Sequence, residues 1–114
     1  GVDTFGGRRG VPYRATAELA LAAALALDEE RLGYYANPSA TERLIYAFGE
    51  FYTVEGPFAV GDCVIVTTNA RSCGIRAEDF PASVGFMRIV NASDGTWTVE
   101  EYNIIADWTP AGGR

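Results

Sequence analysis

Cys63 and Cys73 are the only two cysteines in the chain, with nine residues between them in "CVIVTTNARSC", and there is no histidine or lysine. Those types and that spacing decide what the pair can do. A structural zinc site takes four nitrogen or sulfur ligands, which one chain with two cysteines does not supply. A thioredoxin-like redox centre uses Cys-x-x-Cys at the start of a helix, whereas here the residues between the thiols alternate as a strand does. A disulfide is the expectation that remains, with two unrelated packed thiols as its alternative.

Hairpin parity favours the bond. Directly opposed residues in an antiparallel hairpin have a constant sum of numbers, and 63 with 73 centres the turn on Thr68. Both sulfurs then project from one face at a spacing that a disulfide can close, with Ile65 opposite Arg71 as the next pair. A register with an odd sum puts the thiols on opposite faces and forbids the bond. Closing so short a loop stabilises by about 2 to 3 kcal/mol in the chain-entropy model. It also implies a compartment outside the reducing cytosol.

The missing side chains exclude more than the present ones suggest. Without histidine and lysine there is no Ser-His-Asp triad, no Schiff-base lysine and no P-loop lysine. "FGGRRG" does not fit the dinucleotide fingerprint and follows no strand. Carboxylates could still work as an acid and base pair, from Asp28, Glu29, Glu30, Glu50, Glu55, Asp62, Glu78, Asp79, Glu100 and Glu101, but their distribution is that of a solvated surface. No catalytic residue, cofactor or metal ligand is assigned. The aromatics Tyr46, Phe48, Phe51, Tyr52 and Tyr102 read as filling between helices and sheet. Tyr34, Tyr35, Trp97 and Trp108, at a helix end and around the last strand, are where a ligand mouth or partner surface is expected.

The elements that hold these residues follow from pattern. Residues 1–12, rich in glycine, form an irregular arm. From Tyr13 to about Tyr35, Leu21, Leu25, Leu32 and Tyr35 keep nearly a 3.6 period and predict one long helix, apolar around most of its girth and so covered on more than one side. "DEER" at its end is expected to be a solvated face, with its carboxylates opposed to the helix dipole. Pro38 stops that helix, and Ser39 with Glu42 reads as a capping box for a second helix over 40–51. "FAVGDCVIVTT" alternates, with Phe58, Val60, Val64 and Val66 on one face and Ala59, Cys63 and Ile65 on the other. "VGFMRIVN" and "WTVEEYNII" pair around Gly95, which places Arg88 opposite Glu100, Phe86 opposite Tyr102, Ile89 opposite Val99 and Asn91 opposite Trp97.

Helices followed by strands predict an α+β fold, two N-terminal helices packed on a curved antiparallel sheet of about four strands. One domain over 13–108 is expected, with 109–114 as a tail, since 114 residues at 48% hydrophobic content suffice for one core. A net charge of −6 leaves no basic stripe for phosphates, so nucleic acid is not an expected partner. "LALAAALAL" is too short to cross a bilayer, which takes about 20 residues. Glu18 argues against reading this region as an export signal behind two arginines. The start at Gly1 implies that a leader or larger precursor was removed. Arginine without lysine, beside much alanine and glycine, suggests a bacterial source.

The order and size of the elements over about 13–108 resemble the NTF2-like or cystatin-like superfamily, in which a long first helix lies in the concave side of a curved sheet. The layout departs from many members in having no helix between the early strands. The resemblance implies that an Asp or Tyr in the cavity below the first helix could serve an isomerase or hydrolase acting on an apolar substrate. The leading expectation is instead a non-catalytic, extracytoplasmic domain that binds a protein partner or a small apolar molecule. Homodimerisation through a sheet face or edge is compatible with both.

Overall fold

The computed structural model describes residues 10–54, 56–78 and 80–105. Trp108, the tail and most of the N-terminal arm lie outside them. The elements are α1 (Tyr13–Leu25), α2 (Glu29–Leu32), α3 (Pro38–Tyr46), a single π turn (Ala47–Phe51), β1 (Phe58–Thr67), β2 (Ala70–Ala77), β3 (Ser83–Asn91) and β4 (Trp97–Ile104). The strands form one antiparallel sheet in the order β1-β2-β3-β4, an α+β layout with the helices first. No helix among the described residues is long and apolar enough to span a membrane.

The predicted long helix is interrupted. Leu27, at φ 53°, takes the left-handed conformation, and the amides of Leu27 and Asp28 return to the carbonyls of Ala24 and Ala23. This is a Schellman closure in which leucine stands where glycine is usual. Asp28 then caps α2 by accepting the amide of Arg31 at 3.1 Å. Glu29 and Glu30 thereby fall in a first helical turn, where carboxylates favour the dipole; the expected opposition at a helix end does not arise.

The start of α3 also differs from the capping box. Asn37 Oδ1 accepts the amide of Ala40 at 2.8 Å, and Pro38 occupies the first helical position. Proline lacks an amide that this position does not use, so it opens α3 where a sequence reading takes it only as a stop. The π turn then carries the chain to Tyr52, whose amide bonds the carbonyl of Ala47 at 2.9 Å.

The core lies between one face of the sheet and the helices. Ala17, Ala20, Leu21, Leu32 and Leu44 meet Ile75, Met87, Ile89, Val99 and Tyr102, all at most 4% exposed. The small residues Ala17, Ala20, Ala23 and Ala24 make up most of the buried face of α1, while Leu19, Ala22 and Leu25 face solvent. The helix is therefore covered on one broad side.

Cys63 pairs with Cys73 and Ile65 with Arg71, as parity required, and the disulfide is formed with 4.0 Å between the Cα atoms. The turn is tighter than expected: Thr67 pairs with Ala70, and an irregularity at Val66 absorbs the extra residue. In the second hairpin Asn91–Trp97 and Ile89–Val99 pair as predicted. A shift between Arg88 and Ile89 then sets Arg88 opposite Glu101, Phe86 opposite Asn103 and Met87 opposite Tyr102. Arg88 still reaches Glu100, Nε to Oε1 at 3.1 Å. This bulge turns Tyr102 into the core with Met87 and leaves Phe86 exposed.

Candidate interaction surface

The space between the π turn and the sheet is filled by rings. Phe48 lies 5.0 Å from both Tyr52 and Phe58 and 6.2 Å from Tyr102, centroid to centroid. Tyr52 and Tyr102 meet hydroxyl to hydroxyl at 2.6 Å, and the Tyr52 hydroxyl is also 2.6 Å from the carbonyl of Val84. A carbonyl only accepts, so Tyr52 donates to Val84 and Tyr102 donates to Tyr52. Burial pushes the Tyr52 phenol up to about 12, against a lowering by its bond from Tyr102. Tyr102 is raised further by burial, then by the neighbouring Tyr52. Both are held as neutral phenols at ordinary pH.

Room for this pair comes from Gly85. A Cβ there would stand 2.1 Å from the Tyr102 hydroxyl oxygen and 2.8 Å from that of Tyr52. Two open grooves run along α3. One of ≈ 480 Å³ includes Glu29 and Glu42 in its lining, and one of ≈ 560 Å³ lies between Ser39, Glu42, Arg43 and Tyr46. Glu29 and Glu42 are both exposed to solvent.

Of the four residues expected to mark a ligand or partner surface, Tyr34, Tyr35 and Trp97 lie among the described residues, each with contacts inside the chain. Tyr34 and Tyr35 touch edge to face at 6.4 Å in the turn after α2, both half-buried. The Tyr35 carbonyl accepts the amide of Val99 at 2.8 Å and the amide of Asn37 bonds the Val99 carbonyl at 3.0 Å, so this segment covers part of the β4 edge. Trp97 packs on Tyr13 at 5.4 Å, and the Arg71 guanidinium carbon lies 5.2 Å from each ring. Arg71 in turn donates to the carbonyls of Thr67 and Ala70 at 2.9 and 3.0 Å. Its cation–π contacts thus tie the β1–β2 turn to the start of α1 and to β4. Trp97 is two residues along β4 from Val99, which brings it near the Tyr35 segment as part of the packing between helices and sheet. Trp108 lies outside the described residues.

A continuous run of exposed apolar side chains lies elsewhere, on β1. Val64, Ile65 and Val66 are 60%, 72% and 43% exposed, so side chains from both faces of the alternation are open to solvent at this end of the strand. The strand is an edge, and among the described residues no helix lies over its far half. Arg14, on α1, donates to the carbonyls of Val60 and Gly61 at 2.8 and 2.7 Å and lies 3.6 Å from Cys63 Sγ. That guanidinium covers the near half of the edge. From Cys63 onward the strand carries no charge to discourage pairing. The signal for this in the sequence was the run of β-branched residues leading directly into a polar turn.

No protein-family model matches the chain, and no curated protein matches it.

Proposed function

We propose that this chain is a non-catalytic, extracytoplasmic interaction domain that engages a protein partner through the outer half of β1. The observation that carries the reading is the charge-free edge strand with Val64, Ile65 and Val66 exposed. Such an edge offers unpaired backbone groups and alternating side chains, the means by which an extended segment adds to a sheet. The filled aromatic cluster under the π turn supports a protein partner over a small apolar ligand. The disulfide Cys63–Cys73 supports an oxidising compartment.

The second reading, a small NTF2-like enzyme, is favoured by the Tyr52–Tyr102 pair, since a buried neutral phenol can donate to a substrate oxygen. Tyr102 is only 2% exposed and already bonded, which leaves a substrate no access without rearrangement. An NMR titration separates the two. A short extended peptide of alternating valine and threonine should shift the amides of Cys63 to Val66 and leave Tyr52 and Tyr102 unmoved. Saturable uptake of an apolar dye with shifts at Tyr52 and Tyr102, and none on β1, would refute the interaction reading.

A further inference from the structure

We infer that the occupant of the β1 edge is a second copy of the same edge, paired antiparallel about a two-fold axis at Val64. This inference rests on the interaction reading above and names its partner. Three observations lead to it. First, the short Cα spacing of 4.0 Å marks Cys63–Cys73 as a non-hydrogen-bonded pair, whose N–H and C=O groups point away from the partner strand. Two residues along, Ile65 has the same orientation, so Cys63 and Ile65 present their backbone groups on the free edge.

Second, the usable window is closed at both ends. Gly61 has its carbonyl bonded by Arg14, and Thr67 has its carbonyl bonded by Arg71. The free groups are thus those of Cys63 and Ile65, flanking Val64. Only an antiparallel copy with Cys63 opposite Ile65 satisfies all of them by the same residues on both sides, which is what an isologous interface requires. Two reciprocal rings of N–H···O=C bonds result, with Val64 beside its own counterpart in the closely spaced pair between them.

Third, the side chains agree with that register. Val64 meets Val64, and Asp62, the charge nearest the window, falls opposite Val66 instead of its own copy. No like charges are opposed, despite a net charge of −6 per chain. Copies joined this way form one eight-stranded sheet. The contact is smaller than a standard stable interface, which makes the dimer a weak one.

Sedimentation velocity on the oxidised chain, from micromolar to millimolar concentration, tests this. The native chain should pass reversibly from monomer to dimer. Val64→Lys and Val64→Asp should each weaken association at least tenfold while keeping the native circular dichroism, since Val64 is mostly exposed. Mixed in equal amounts, the two variants should restore a dimer. A native chain that dimerises and is unaffected by either substitution would overturn the inference, because the dimer would then use another surface. A chain that stays monomeric at millimolar concentration but binds the valine–threonine peptide on β1 would overturn self-pairing and leave the interaction reading standing. Neither self-association nor peptide binding would overturn both.

Discussion

Replacing Gly85 by alanine tests how the buried tyrosine pair is accommodated. The new Cβ would lie 2.1 Å from the Tyr102 hydroxyl oxygen and 2.4 Å from the ring carbon that bears it, and 2.8 Å from the Tyr52 hydroxyl oxygen. Tyr102 is 2% exposed, so its ring cannot swing aside into solvent. Overpacking of a close-packed core costs about 1 to 3 kcal/mol. Displacing Tyr102 also breaks its bond to Tyr52 and leaves a buried hydroxyl poorly paired, worth roughly another 1 to 2 kcal/mol. A loss of about 2 to 4 kcal/mol is expected, lowering Tm by roughly 10 to 25 °C for a domain of this size. Urea unfolding followed by tryptophan fluorescence measures it. A double-mutant cycle locates the cause: in a Tyr102→Leu background, which removes the two nearest of the three close atoms and lets the Tyr52 hydroxyl shift, Gly85→Ala should cost less than about 1 kcal/mol. Tyr102→Phe should relieve less, because the ring carbon remains. A loss below about 0.5 kcal/mol for Gly85→Ala in the native background would refute the steric account.

Further expectations concern the staple, the helix start and alkaline pH. Cys63→Ala combined with Cys73→Ala should lower stability by about 2 to 3 kcal/mol, read from the urea midpoint at unchanged slope; an unmoved midpoint would show that the staple contributes nothing. Asn37→Ala should cost about 1 kcal/mol and Ser39→Ala much less, and the reverse order would return the cap to Ser39. The Tyr52 and Tyr102 phenols are raised above their unfolded value of 10.0, so the folded state holds those protons more tightly. Their contribution is complete below pH 10 and is lost as pH rises toward about 12. Thermal scans in that range should show a declining Tm, with a shallower decline in Tyr52→Phe; identical pH profiles would contradict the assignment.

What could be read from residue order was what depends on short-range periodicity. Two-fold alternation found β1, β3 and β4, and hairpin parity found the Cys63–Cys73 register and with it the start of β2, because a one-residue slip reverses every face. The features missed depend on contacts that no local pattern encodes. The bulge at Arg88–Ile89 is set by which of Phe86 and Met87 the helices cover, so Tyr102 was paired one residue away from its place. Leu27 in the left-handed region breaks the first helix without the glycine that would have announced it. The stacking of Trp97 with Arg71 and Tyr13 joins β4, β2 and α1, three segments far apart in the chain, and no local pattern reveals it. On β1 the alternation of Val64, Ile65 and Val66 was legible, but whether a helix lies over an alternating strand is a property of the whole fold.

The strand order β1-β2-β3-β4 bears on how the chain acquires its structure. Every strand bonds its sequence neighbour, so each step in building the sheet closes only a short loop, and the contact order of the sheet is low. A β-hairpin can form in about 1 to 10 μs without waiting for distant segments. The β1–β2 hairpin therefore brings Cys63 and Cys73 together whether or not α1 has docked, and their oxidation does not depend on a finished core. Docking of α1, which delivers Arg14 to Val60 and Gly61, has to span the longer separation from β1. Until it does, the edge of β1 lies open along its whole length. On a crowded biosynthetic route, that interval, more than the finished fold, is when the strand is most exposed to unwanted pairing.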